Sequence, residues 1–313
     1  MKPAALLFSS FVLTSFAGCD PMVDEAELRC LSEDELAPSR YLTIDGIQIA
    51  VYESSGKKEP GLLLVHGNTS SANSFRKLLK SARAKKRRVV AIDLPGYGNS
   101  DDAEYSIATF TKIISQAAIE LGVDDGVMVG WSLGGDLLLQ TAHLLPNVKG
   151  YFLFGTAPVG GGPDAPSPFL TPAESYAGQA TTYGFIPTLT PTQIDEYVEA
   201  FFRPGWPHVP SFFYEDGYRT DPGTRQAVLE AASGLDPDFL PEVPVAQGLT
   251  VPIALVHAGH DAFVRLAYLE AISPSIPKLW KKKVVVVPGS GHAIQWEAPA
   301  ALDDLLGDFL DDL

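Results

Sequence analysis

Ser132 sits in Gly130-Trp131-Ser132-Leu133-Gly134, a G-x-S-x-G pattern. The pattern follows the apolar run Val127–Val129 and opens a helical periodicity over Leu133–Leu144. This is the strand–turn–helix setting in which it forms a nucleophile elbow. Such a turn needs glycine because neighbouring backbones approach closely, and it lifts the hydroxyl clear of the sheet at a helix N-terminus, where developing negative charge is favoured. A serine hydroxyl attacks a carbonyl only when a base takes its proton. In elbows of this kind the acid and then the base follow the serine along the chain. His292, in Gly289-Ser290-Gly291-His292 directly after the run Val284–Val287, is the candidate base. Asp261, at loop distance after the run Ile253–Val256, is the candidate acid that would fix the His292 tautomer and stabilise the imidazolium. The preceding strand end, Gly155-Thr156-Ala157-Pro158, offers no carboxylate for that role. His143, His208 and His257 fit less well by position. His66-Gly67-Asn68-Thr69 closes the run Gly61–Val65. The backbone N–H groups of Asn68 and of Leu133, the residue after the nucleophile, are the expected oxyanion hole, a device that contributes ~3–4 kcal/mol to transition-state stabilisation. Asp136 lies one helical turn beyond Ser132 and reads as a solvent or cap contact.

These residues need elements to position them. Short continuous apolar runs at Gly61–Val65, Val89–Ile92, Val127–Val129, Tyr151–Phe154, Ile253–Val256 and Val284–Val287 have the character of strands buried on both faces. Helical periodicity lies between them, clearest at Ile107–Leu121, Leu133–Leu144 and Ala298–Leu310. Tyr41–Tyr52 alternates around Asp45-Gly46, a hairpin signal. The alternation predicts an α/β fold, a doubly wound and mostly parallel sheet with right-handed crossovers, spanning 41–313. It is interrupted at about 158–250 by a stretch rich in Pro, Gly and aromatic residues. An insertion at a strand's C-terminal end lies above the sheet, where α/β ligand sites are found, so this stretch is expected to be a cap with helices such as Pro191–Phe202. Most of its aromatics are expected to form the cap's own core, the rest to line a pocket. Asp93-Leu94-Pro95-Gly96-Tyr97-Gly98-Asn99-Ser100 is expected to shape the loop beside the site.

Composition narrows the partners. The formal net charge of −15 opposes sequence-independent binding of nucleic acid, which needs clustered Lys and Arg to neutralise phosphates. The runs Lys85–Arg88 and Lys281–Lys283 each precede a strand and read as solvated strand entries. Residues 1–19 have the pattern of a signal peptide: a positive start at Met1-Lys2, an apolar Pro3–Ala17 too short to span a bilayer, and Phe16-Ala17-Gly18-Cys19. That ending resembles a bacterial lipobox, with Cys19 as the lipidated residue; ordinary cleavage after Ala17 is the alternative. Residues 20–40 read as an acidic linker. The expectation is therefore an exported protein of the cell envelope, touching the membrane only through the Cys19 lipid. Cys30 would then be a lone thiol, or the partner of Cys19 in a disulfide if lipidation does not occur.

Over about Tyr41 to Leu313 the chain resembles the α/β-hydrolase superfamily. More narrowly it resembles the serine-dependent N-acyl-homoserine lactonases of that fold. The matching stretches are His66-Gly67-Asn68-Thr69-Ser70-Ser71, Gly130–Gly135, Gly155-Thr156-Ala157-Pro158-Val159, Asp261 with Phe263-Val264, Leu279-Trp280, and Gly291-His292 with Glu297-Ala298-Pro299. The resemblance implies hydrolysis of a small-molecule ester or lactone through an acyl-enzyme, with no cofactor and no metal. Three alternatives stay open: a carboxylesterase for small acyl esters, a cofactor-free haloperoxidase or perhydrolase, and a ligand receptor on a hydrolase scaffold.

Overall fold

The computed structural model describes residues 36–81 and 83–313. Cys19, Cys30, the expected signal peptide and most of the expected linker lie outside the described residues. Within that linker stretch, Leu36 N donates to Asn73 Oδ1 (3.2 Å) and Ser39 N to the Val51 carbonyl (2.7 Å), so the chain joins the fold just before its first strand.

Eight strands form one sheet: β1 (Arg40–Ile44), β2 (Ile47–Glu53), β3 (Lys58–Val65), β4 (Arg87–Ile92), β5 (Val127–Trp131), β6 (Gly150–Phe154), β7 (Ile253–Ala258) and β8 (Val285–Val287). Their spatial order is β1-β2-β4-β3-β5-β6-β7-β8. The β1–β2 hairpin turns at Asp45 (φ 51°) and Gly46 (φ 83°), both left-handed as a tight two-residue turn requires. β2 runs antiparallel to β4; every other pairing from β4 to β8 is parallel. The apolar runs are buried on both faces because successive side chains serve opposite cores. Leu62 and Leu64 join one cluster with Val129, Phe152 and Phe154, while Leu63 and Val65 join the other with Met128 and Leu153.

Local capping signals mark both ends of the first long helix. α1 (Ile107–Leu121) starts at Ser106, whose hydroxyl accepts from Thr109 N, and stops at Gly122 with φ 62°. α2 (Leu133–Thr141) follows the elbow and tightens into a 3₁₀ turn over Ala142–Leu144. The long connection between β6 and β7 carries a 3₁₀ segment (Gly178–Phe185) and four helices: α3 (Pro191–Glu199), α4 (Ser211–Arg219), α5 (Pro222–Ala232) and α6 (Glu242–Gly248). α3 opens with a Thr190–Gln193 capping box. It ends at Glu199, short of Phe202, and its apolar stripe (Ile194, Tyr197, Val198) faces inward. Phe201, Phe202, Phe212 and Phe213 are buried in the sheet's own core cluster, so the aromatic cap is welded to the sheet and has no separate core.

Candidate active site

Ser132 has φ 53° and ψ −127°, a strained conformation for a non-glycine residue. Such a conformation persists only where its surroundings over-determine it. Ser132 N donates to the Phe154 carbonyl (3.0 Å), and its own carbonyl accepts from Gly135 N (2.8 Å) and Thr156 Oγ1 (3.1 Å). The glycines answer a packing demand. A Cβ on Gly134 would run into the Val65 carbonyl, one on Gly135 into Thr156, and one on Gly130 into Gly135. The elbow can therefore press directly on β3, and α2 begins at Leu133 with its N-terminus beneath the serine.

His292 and Asp261 arrive from neighbouring strand ends, after β8 and β7. His292 Nδ1 lies 2.9 Å from Asp261 Oδ2, both side chains buried. Asp261 Oδ1 accepts from Phe263 N and Val264 N, each at 2.9 Å. Burial alone would raise the Asp261 carboxyl, but the His292 ring and these backbone donors outweigh it and hold the carboxyl below its ordinary value. Asp261 thus stays an anion and an acceptor, which leaves Nδ1 of His292 as donor and Nε2 as the free base position. Phe263, Trp131 and Phe201 surround the imidazole with ring centroids 4.8, 5.6 and 6.1 Å away.

Gly155 neighbours both Ser132, whose N–H donates to the preceding Phe154 carbonyl, and His292. The His292 ring packs so closely on that glycine that a Cβ there would meet it at 3.0 Å. Ser132 and Gly155 line the same pocket. No direct hydrogen bond joins Ser132 Oγ to His292 Nε2 among the described residues; bonds of this kind tighten when substrate is bound.

Asn68 and Leu133 border the same pocket. Neither backbone N–H has a protein acceptor among the described residues, so both can meet an oxyanion. The Asn68 side chain is spent on fixing the loop: Nδ2 donates to the Gly184 carbonyl of the cap (2.8 Å), and Oδ1 accepts from Tyr97 OH and Thr69 Oγ1 (both 3.2 Å). Thr69, next to Asn68, has φ 54°, a second strained non-glycine residue in this region. His66 anchors the loop from below. Its Nδ1 donates to Gly67 O (2.8 Å) and its Nε2 accepts from Leu94 N (3.0 Å), a neutral tautomer consistent with burial holding its pKa down at about 4. Asp93 has the expected shaping role, its Oδ1 accepting from Ala72 N and its Oδ2 from Tyr52 OH and Asn99 N.

Three features were not apparent from residue order. Glu297 binds the His292 loop to the cap, its Oε2 accepting from Gly291 N (3.0 Å) and its Oε1 from Arg203 N (2.7 Å). Asp136, read from the sequence as a solvent or cap contact, faces the pocket and is paired with Glu242 of α6, a cap residue 2% exposed. The cap aromatics Phe169, Phe185 and Tyr197 line the pocket beside Ser132. Its volume is about 100 Å³, below the ~150 Å³ that accommodates benzene in an engineered cavity.

Residues 60–299 match the alpha/beta hydrolase fold family. Among solved structures, the chain is similar to an N-acyl homoserine lactonase, AidH, in a mutant form complexed with N-hexanoyl homoserine lactone. The TM-score is 0.77 and the identity 29%, covering 87% of this chain and 97% of that one. Among curated proteins, it is 33% identical over 120 residues to the uncharacterized hydrolase YugF of Bacillus subtilis, 37% of this chain and 43% of that protein. It is 32% identical over 102 residues to the pimeloyl-[acyl-carrier protein] methyl ester esterase of Xylella fastidiosa, 32% of this chain and 37% of that protein. The chain thus spans under half the length of these two curated relatives. With the elbow and the sheet order in place, the match over most of its length establishes that the chain belongs to the alpha/beta hydrolase fold family.

Proposed function

We propose that the chain hydrolyses carboxylic esters or lactones through an acyl-enzyme on Ser132, with His292 as general base and acid and Asp261 as its orienting carboxylate. The observation that carries the reading is the buried His292–Asp261 hydrogen bond, set beside an elbow serine that borders a pocket. Ser132 Oγ attacks the carbonyl carbon as His292 Nε2 takes its proton. The N–H groups of Asn68 and Leu133 hold the resulting oxyanion. His292 then gives the proton to the leaving alkoxide, and a water activated by the same nitrogen releases the acid. The likeness to a lactonase crystallised with an acyl homoserine lactone supports a lactone among the substrates, and the small pocket supports a short acyl group. A fluorophosphonate probe should label Ser132 in the folded protein and fail to label Ser132→Ala. Lactones and p-nitrophenyl esters of graded chain length then separate lactonase from esterase. Turnover of short esters alone ends the lactonase reading, and an unlabelled Ser132 ends the enzyme reading. We also propose export with a lipid on Cys19, supported by the N-terminal sequence; the mass of the mature N-terminus separates diacylglyceryl-Cys19 from cleavage after Ala17.

A further inference from the structure

The main chain around His292 is gripped from several sides. Gly291 N donates to Glu297 Oε2 (3.0 Å), the His292 carbonyl accepts from Trp131 Nε1 of the elbow (3.0 Å), and Ala293 N donates to the Phe201 carbonyl of the cap (2.8 Å). One residue earlier, the Ser290 carbonyl accepts from His260 N (2.8 Å), which ties this loop to the one carrying Asp261. Glu297 reaches furthest of these partners. Its second oxygen, Oε1, accepts from Arg203 N of the cap (2.7 Å), Arg203 Nε lies 3.5 Å from Oε2, and its side chain is closed to solvent. The two main chains it joins already touch: a Cβ on Gly291 would meet Arg203 N at 2.3 Å and the Phe202 carbonyl carbon at 2.6 Å. Each chain presents an N–H here, and two donors cannot satisfy one another. Neither N–H has another acceptor among the described residues. An ionised carboxylate answers both at once, because it only accepts and does so through two oxygens.

We propose that Glu297 is a positioning residue for the base: its carboxylate locks the Gly291–His292 main chain to the Phe201–Arg203 segment of the cap and so sets where the His292 imidazole stands relative to Ser132. The inference rests on the role proposed for His292. The Nδ1 bond to Asp261 orients the ring, but the distance from Nε2 to Ser132 Oγ depends on the loop that carries the ring. Proton transfer needs that distance at about 2.6–3.2 Å, and a misplacement of about 1 Å costs about 10²-fold in rate. Glu297 is not among the described residues that border the pocket beside Ser132. Its contribution therefore falls on the proton transfers and not on the grip on substrate.

The test is steady-state kinetics of the full-length protein on a p-nitrophenyl ester that it turns over, with Glu297→Gln beside wild type. The glutamine has the same shape but one acceptor oxygen, so it turns a donor toward one of the two N–H groups. The expected result is kcat lowered about tenfold or more with KM within about twofold of wild type, the split of an interaction that matters only in the transition state. The rate constant for fluorophosphonate labelling of Ser132 should fall in parallel, and it reports the reactivity of folded protein alone. Glu297→Asp keeps the charge but is one methylene too short to span both N–H groups. It should show the same split, and it carries the test if the glutamine variant does not fold. A folded variant with kcat within about twofold of wild type overturns the inference. So does a loss carried by KM alone, which is what a loosened cap gives. If His292→Ala also retains its kcat, the base reading has failed and takes this one with it; an inactive His292→Ala beside a fully active Glu297→Gln overturns this one alone.

Discussion

At the scale of single residues, the proposed base and acid carry different loads. On the proposed mechanism, removing the His292 imidazole takes away both proton transfers, whereas Asp261→Asn leaves the geometry but offers Nδ1 a donor where it needs an acceptor. Each change should lower kcat by about 10³–10⁴-fold with KM little altered; steady-state kinetics on a turned-over ester reads it directly. Loss of less than tenfold in both would mean another group serves as base. The elbow at Ser132 and the meeting of His292 with Asp261 were legible because each follows from local context, a turn after a strand and two loops after later strands. The Asp136–Glu242 pair was legible only as far as a solvent or cap contact for Asp136, with no partner named. Its members are far apart in the chain, and a carboxylate on an exposed-looking helix turn carries no local sign that a cap residue will bury it. Glu297 escaped for the same reason, since its two acceptor contacts are to backbone N–H groups that any residue supplies.

At the scale of elements, the cap's attachment decides whether the pocket keeps its shape. Arg225 of α5 is 2% exposed. Its Nε donates to the Ile186 and Pro187 carbonyls (3.2 and 3.1 Å), and its Nη1 to Thr69 Oγ1 (3.4 Å). One guanidinium thus ties α5, the loop after the 3₁₀ segment and the loop after β3. Arg225→Met fills much the same space but leaves those oxygens unmet, at a cost of about 2–3 kcal/mol. The expected result is a lower midpoint of thermal unfolding and a KM raised several-fold, with Ser132 still labelled by the fluorophosphonate. An unchanged KM would mean the cap is held without this anchor. The strands and α1 were placed by the sequence pattern because burial on both faces and an N-cap serine are local signals. The cap was located but not resolved. Its aromatics look alike in sequence, and only packing shows that, of two buried core residues, Tyr197 borders the pocket and Phe213 does not.

At the scale of the whole molecule, two buried titratable groups pull stability in opposite directions with pH. Burial raises the Glu242 carboxyl from 4.5 to about 7. Between those values the folded protein holds a proton that the unfolded chain has released, so stability falls as pH rises through the window and levels off above it. Burial lowers His66 from 6.5 to about 4. There the unfolded chain holds the extra proton, so stability rises from about pH 4 to 6.5. The two effects overlap and partly cancel, which would hide both in a single pH curve. Glu242→Gln separates them, because it removes the first and leaves the second. The midpoint of thermal unfolding of the variant, measured against wild type at matched ionic strength, should gain steadily between about pH 4.5 and 7.5 and then stay level. The gain corresponds to up to about 3 kcal/mol, with Asp136 and residue 242 titrating as one unit in the wild type. A difference between the two proteins that does not change with pH would show that burial does not hold the Glu242 carboxyl protonated above its ordinary range.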